Sequence, residues 1–364
     1  MKIGIIGLPL TGKTTLFNLL TNLDIQVSEF SQGKIEANQG MAMVSDERIH
    51  FLSDLNDARK LSFATIEVID VPGLEEGSSV GKGVGNQFLE NIRKTDTLVH
   101  VIRTFENENI LHPNGEINPM RDIDTVNMEL LFADLQIIEN RIEKTEDIRK
   151  SKVTKEQLEE LEVLKKCKNG LEDGLLLNNI EFSSREKEVL KTFSFLSSRP
   201  MILVVNIDEE QLESGEYPGK EDLAKYSKGT NTPVIEICIK VEQEISLLDS
   251  EDKELFMKDL GISESGIDRL SKTAYDYLGL ISFLTAGEKQ VKAWTIKKGA
   301  TAPEAAGKIH SDIEKGFIRA EVCRFDDIKE HGSMSKCKEL GLVTLEGKEY
   351  IVQDGDIIDF RFNV

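Results

Sequence analysis

Short apolar runs separated by polar, helix-compatible stretches set the pattern of the first part of the chain. Met1–Ile6 is an apolar run broken by one glycine, Gly7–Gly12 is a glycine-bounded turn, and Thr14–Leu20 carries helix-compatible residues, so the order predicts strand, loop, helix. Apolar, β-branched runs at Ala64–Ile69, Thr97–Ile102, Met201–Val205 and Val234–Ile239 have strand length, and each is followed by polar or turn-forming residues. Strands alternating with helical stretches cover both faces of a sheet, which predicts an α/β fold with a doubly wound, mostly parallel sheet.

Between about Asp124 and Arg199 the period changes. Leu131, Leu135, Ile138 and Ile142 recur at spacings of four, three and four, and Leu158, Leu161, Leu164, Cys167 and Leu171 form a second stripe after a break around Ser151–Thr154. This is the pattern of an α-helical coiled-coil hairpin inserted into the sheet domain, with solvated charged outer faces. From Leu280 strand-like runs return at Leu280–Leu284, Val291–Ile296, Tyr350–Val352 and Ile357–Phe362, around one helical stretch at Ala302–Gly316. They predict a small mixed domain. The expected division is a sheet domain from 1–123 and 200–279, a helical insertion at 124–199 and a small domain at 280–364.

A length of 364 residues gives room for two or three cores, and 39% hydrophobic with 30% charged residues is a globular composition. No run approaches the roughly 18 apolar residues of a membrane span, so a cytoplasmic protein without an anchor is expected. Cys167, Cys238, Cys323 and Cys337 lack metal-ligand spacing and read as reduced thiols. A net charge of −20 argues against broad nucleic-acid binding and leaves only local basic surface for such a contact.

The chemistry concentrates at Gly7-Leu8-Pro9-Leu10-Thr11-Gly12-Lys13-Thr14, a full match to the phosphate-binding loop pattern, with a strand before it and a helix after it. Gly7, Leu10, Thr11, Gly12, Lys13, Thr14 and Thr15 are the expected phosphate cradle of a nucleoside triphosphate. Glycines let successive N–H groups point inward at the helix start, Lys13 reaches the β- and γ-phosphates, and the Thr14 hydroxyl ligates Mg²⁺. Asp70-Val71-Pro72-Gly73 ends the next strand; Asp70 is the second expected metal residue, and the Gly73 amide the expected γ-phosphate sensor. Leu74 stands where Ras-like enzymes place a water-orienting glutamine and cannot hydrogen-bond water, so either hydrolysis is slow or another group does that work once the stretch Gly77–Gly85 orders. His100 on the following strand is the candidate, with a buried structural histidine as the open alternative. Asn206, Ile207 and Glu209 form the expected base-reading element, in which Glu209 replaces the aspartate of Asn-Lys-x-Asp and weakens guanine specificity.

With these pieces the chain resembles the YchF/Obg-like ATPase family. The resemblance spans nearly the whole chain and rests on Gly7–Asn18, Asp70–Gly73, Gly83–Leu89, His100–Arg103, Asn206–Glu209 and Thr285–Val364, including Lys292-Ala293-Trp294-Thr295-Ile296 and Ala305-Ala306-Gly307-Lys308-Ile309-His310. It implies an OBG-type G domain, a coiled-coil arm and a C-terminal ubiquitin-like TGS domain. It further implies ATP accepted at least as well as GTP, a ribosomal partner in translation or stress responses, and a role in hydrolysis for His100. Leu10-Thr11 departs from the family's Asn-Val and puts potassium dependence in doubt, while Lys34 stands where the family's first-switch threonine contacts Mg²⁺.

The reading is a slow, monomeric, Mg²⁺-dependent ATPase that switches ribosome docking. Its competitors are a nucleotide-regulated RNA or ribosome adaptor and a GTP-specific GTPase. For the adaptor, Lys289, Lys292, Lys297, Lys298, Lys308 and Arg319 around Trp294 offer phosphate contacts and an aromatic platform for rRNA, with the helical arm as the other candidate surface.

Overall fold

The computed structural model describes residues 2–25, 37–71, 84–107, 109–147 and 153–363, with the backbone alone at 84–88 and 250. The chain divides into two compact units, Met1–Gly40 with Glu67–Arg269, and Met41–Ile66 with Leu270–Val364.

Among the described residues before 240, seven strands form: β1 (Lys2–Ile6), β2 (Asn38–Val44), β3 (Leu61–Ser62), β4 (Ala64–Asp70), β5 (Thr97–Arg103), β6 (Met201–Asn206) and β7 (Val234–Ile237). Six of them form one sheet in the order β2-β4-β1-β5-β6-β7. Each pairing from β4 through β1, β5 and β6 to β7 is parallel, so this is the doubly wound α/β sheet that the alternation of strands and helices predicts. β5 and β6 are buried at every residue, as strands covered on both faces must be. The register pairs Ile6 with His100, Arg103 with Asn206, and Asn206 with Ile237, which brings the carboxyl ends of four strands to one rim, where such sheets bind ligands.

The expected strand Val234–Ile239 ends two residues early. Cys238 sits at the N-cap and Ile239 opens the helix Ile239–Ser246, whose Ile239, Val241 and Ile245 are buried. A short apolar run does not distinguish a strand end from the start of a buried helix.

The insertion is a helical hairpin of Pro119–Glu146 and Lys155–Glu172. Asn118 caps the first helix, and a Thr154–Gln157 capping box opens the second. Leu131, Ile138, Val163, Leu164, Cys167 and Leu171 form its core with Phe195. Leu158 is 52% exposed and Leu161 half-buried, so the buried part of the second stripe starts at Leu164, with Val163 buried beside it. Asp134 is fully buried and accepts bonds from Leu196 N–H (2.9 Å), Ser197 N–H (2.7 Å) and the Ser197 hydroxyl (2.6 Å), which fixes the return of the chain towards β6.

The second unit adds β8 (Leu280–Thr285), β9 (Val291–Lys297), β10 (Phe317–Arg324), β11 (Thr344–Glu346) and β12 (Asp356–Phe362). With β3 they form a sheet in the order β11-β10-β12-β8-β9-β3. Phe283, Phe317, Val322 and Phe360 pack against Ala302, Ala305 and Ala306 of one helix. The stretch Ala302–Gly316 is two helices, because His310 is extended and its Nδ1 accepts the Asp312 N–H at 3.2 Å, capping Ser311–Lys315. Tyr350–Val352 contributes a single bridge, Thr301 to Ile351. Residues 41–66 group here although the sequence boundaries count them with the sheet domain: β3 pairs with β9, and Arg48 Nη1 bonds Asp354 Oδ2 at 2.7 Å. A two-residue strand leaves no periodic signal to read.

Candidate functional site

The turn after β1 is shaped by positive φ at Gly7 (142°), Leu10 (62°) and Gly12 (99°). A Cβ at Gly7 would lie 2.5 Å from the Val101 carbonyl oxygen, so glycine is required by close approach as well as by φ. Thr11 Oγ1 closes the turn on Leu8 O at 3.1 Å. Gly12 is the N-cap of the helix Lys13–Thr21 and supplies no side-chain cap, which leaves the first-turn N–H groups, with Thr14 and half-buried Thr15, available to an anion.

Lys13 is 7% exposed and its Nζ bonds Leu8 O at 2.5 Å, curling over the turn. Burial pulls its pKa down to about 8, against the opposing pull of Asp70. Thr14 Oγ1 donates to Asp70 Oδ2 at 2.9 Å, joining the helix to the end of β4. Burial pushes the Asp70 carboxyl up, opposed by the bond from Thr14, the Lys13 charge and a bond from Asn38. A buried carboxylate beside a hydroxyl is a hard oxygen pair, the donor chemistry that fits Mg²⁺. Pro72, Gly73, Leu74, Lys34 and Gly77–Gly83 lie outside the described residues; Val84 and Gly85 open the helix Val84–Arg93.

His100 is 1% exposed, and the Gly7 Cβ position would stand 3.4 Å from its Cδ2. Neither ring nitrogen has a hydrogen-bond partner among the described residues, and burial, with the nearby Lys13 charge, pulls its pKa down to about 3. The ring is therefore neutral beside the phosphate loop.

At the ends of β6 and β7, Asn206 Nδ2 donates to Thr11 O at 3.0 Å, and Asn206 Oδ1 accepts the Ile239 N–H at 3.4 Å. Asn206 thus ties the phosphate loop to the next strand end. Ile207 lies in the core, 4% exposed, with its N–H on Ile237 O at 3.0 Å. Glu209 is the first residue of the helix Glu209–Ser214, capped by Asp208, and its Oε1 meets Lys240 Nζ at 2.5 Å. Sequence reasoning missed Ile239 and Lys240. The signal available was the polar break after Val234–Ile239, which marks another strand end on the same rim.

In the second unit Trp294 is already engaged: its Nε1 donates to Thr285 Oγ1 at 3.0 Å, Phe283 stacks alongside, and Lys292 Nζ lies 3.5 Å from its ring centroid.

Two family models match the chain. One, described as a 50S ribosome-binding GTPase, covers residues 2–134; the other, YchF-GTPase_C, described as a protein of unknown function (DUF933), covers 280–363. The chain is 43% identical over 364 residues to the ribosome-binding ATPase YchF of Bacillus subtilis, covering 99% of each. It is 41% identical over 363 residues to that of Escherichia coli O157:H7, covering 100% of this chain and 99% of the other. The chain belongs to the YchF family. The solved structure of the Schizosaccharomyces pombe YchF GTPase matches it with a TM-score of 0.87 at 29% identity, covering 99% of this chain and 97% of that one. The family resemblance read from the sequence and the α/β fold class are both borne out. These YchF relatives carry different names, ATPase for the bacterial proteins and GTPase for the fission-yeast one.

Among the described residues no helix is long and apolar enough to cross a membrane.

Proposed function

We propose that this YchF-family chain is a Mg²⁺-dependent nucleoside-triphosphatase that binds ATP, hydrolyses it slowly and uses the nucleotide state to control docking on the ribosome in the cytoplasm. The observation that carries the reading is the buried Lys13 folded over a glycine turn whose helix start lacks a side-chain cap, with Thr14 bonded to Asp70 beside it. Loop amides and Lys13 bind the β- and γ-phosphates and offset the charge that develops as water attacks the γ-phosphorus and the bond to the β-phosphate oxygen breaks. Thr14 and Asp70 would hold Mg²⁺, which supplies further charge neutralisation on the phosphates. His100, neutral in this state, is the group we assign to orienting the water, and the Gly73 amide is kept as the expected γ-phosphate sensor.

The relatives named as ribosome-binding support the partner assignment. In the second unit Lys289, Lys292, Lys297, Lys298, Lys308 and Arg319 are the candidate rRNA phosphate contacts. Because Trp294 is held by Thr285, Phe283 and Lys292, these contacts rest on charge rather than on base stacking.

Titration of labelled ATP and GTP with Mg²⁺ tests the enzyme reading: binding to the wild type is expected and its loss in Lys13→Ala. Retained binding in that variant refutes the phosphate-loop assignment. Co-sedimentation with ribosomes at rising salt, with and without ATP, tests the partner; absence from ribosomal fractions at every salt concentration refutes it.

A further inference from the structure

We propose that Lys240 is a specificity-determining residue, forming with Glu209 a matched donor–acceptor pair that reads the adenine edge. The proposal rests on the nucleotide-binding reading above and adds the means of base selection.

Glu209 opens the helix after β6, and Lys240 is the second residue of the helix after β7. β6 and β7 are adjacent, with Asn206 in register with Ile237, so the two helix starts stand side by side at the carboxyl rim of the sheet. Asn206 fixes both relative to the phosphate loop through Thr11 O and the Ile239 N–H. The junction is tight: a Cβ at Gly12 would lie 2.7 Å from Asn206 Nδ2 and 3.1 Å from Ile239 Cδ1. Beside this clamp, Lys240 Nζ and Glu209 Oε1 are 2.5 Å apart, with side chains 66% and 48% exposed. The pair is formed and accessible.

Hydrogen-bond complementarity sets the direction of the preference. A lone carboxylate offers two acceptor oxygens, which suit the adjacent N1–H and N2–H donors of guanine. Here Lys240 takes Oε1, leaving Oε2 as acceptor and the remaining ammonium N–H groups as donors. Adenine presents a donor, N6–H, next to an acceptor, N1, and so matches one oxygen plus one ammonium. Guanine would set N1–H against the ammonium, donor facing donor. Discrimination of this kind works by leaving the wrong base with an unpaired polar group.

Competition binding of ATP, GTP and inosine triphosphate to the full chain with Mg²⁺ tests this, using wild type, Lys240→Met, Lys240→Arg and Lys13→Ala. The wild type is expected to favour ATP. Lys240→Met is expected to move the GTP-to-ATP affinity ratio towards GTP by roughly tenfold, the scale of one mismatched hydrogen bond. Lys240→Arg keeps a donor beside the carboxylate and should restore ATP preference. Inosine triphosphate, which has N1–H but no N2 amine, should gain less than GTP in Lys240→Met. A wild type that prefers GTP, a ratio unchanged in Lys240→Met, or equal weakening of ATP and GTP overturns the proposal, the last by showing that Lys240 only props the helix. Nucleotide binding that survives Lys13→Ala instead sinks the phosphate-loop reading, so the two failures are told apart.

Discussion

Replacing His100 by leucine separates a structural histidine from a working one. The ring is fully buried and neither nitrogen is partnered among the described residues. A buried donor or acceptor left unmade costs about 1–3 kcal/mol, so removing both should offset the modest mismatch in shape, and His100→Leu should be at least as stable as wild type at pH 7. Acid strengthens the contrast. The pKa of the folded state is about 3, below the unfolded value, so the unfolded chain takes up the proton first. The contribution is present above the unfolded pKa and is lost as pH falls from there towards 3. Between pH 7 and pH 5 that loss is about 2 kcal/mol, starting from an unfolded pKa of about 6.5. Urea unfolding at the two pH values should therefore show a decline in His100→Leu smaller by about that amount. Turnover at pH 7 should fall by about 100-fold or more if the ring assists water attack. A variant destabilised by more than about 2 kcal/mol at pH 7 would show that the histidine is held for packing. Unchanged turnover would remove it from the reaction.

Three further substitutions probe the rest of the site and its support. Gly12→Ala puts a Cβ at φ 99° and 2.7 Å from Asn206 Nδ2, so it must break the Asn206 bond to Thr11 O; ATP affinity should drop at least about tenfold, and wild-type affinity by titration would contradict the geometry. Thr14→Val keeps the shape and loses one hydrogen bond to Asp70, a stability cost of about 1 kcal/mol. Its ATP binding should no longer respond to chelation of Mg²⁺, and a wild-type response in the same titration would take Thr14 out of the metal site. Asp134→Ala leaves the Leu196 and Ser197 N–H groups buried without their acceptor, and urea unfolding should register a loss of about 3 kcal/mol. A loss below about 0.5 kcal/mol would mean that the hairpin is anchored elsewhere.

The parts legible in the sequence are those set by local rules. The phosphate loop is readable because two glycines and Lys13-Thr14 fall in phosphate-loop spacing where a strand passes directly into a helix, and the structure adds the reason: Gly7 has no room for a Cβ against the Val101 carbonyl. The hairpin was readable because its apolar stripe has the helical period, although Leu158 continues that period into solvent. Long-range pairings were not readable. β3 is two residues long, and its partner β9 lies more than 200 residues further on, so no window of sequence relates them. The Glu209–Lys240 pair is hidden for the same cause: Glu209 is legible from its spacing to Asn206, but Lys240 alone is an ordinary surface charge, and only the register of β6 on β7 makes the two neighbours.

The site also concentrates groups that cost stability. Leu10 takes a left-handed φ that a non-glycine residue adopts only under constraint, Lys13 is buried enough to lower its pKa to about 8, and His100 holds two nitrogens without partners among the described residues. An apolar core residue at position 100 and glycine at position 10 would remove two of these costs without disturbing the register of β1 on β5, which is set by the backbone ladder. Lys13 has no such substitute: among the described residues its direct hydrogen bond is to one loop carbonyl, and Asp70 acts on it through charge. A ligand that brings anionic oxygens to Lys13 and to the uncapped helix start compensates the cost that no substitution removes. Strain, desolvation and unmade hydrogen bonds gathered around one loop are what a binding site looks like before its ligand is added, and the charge that would relieve them here is that of a polyphosphate.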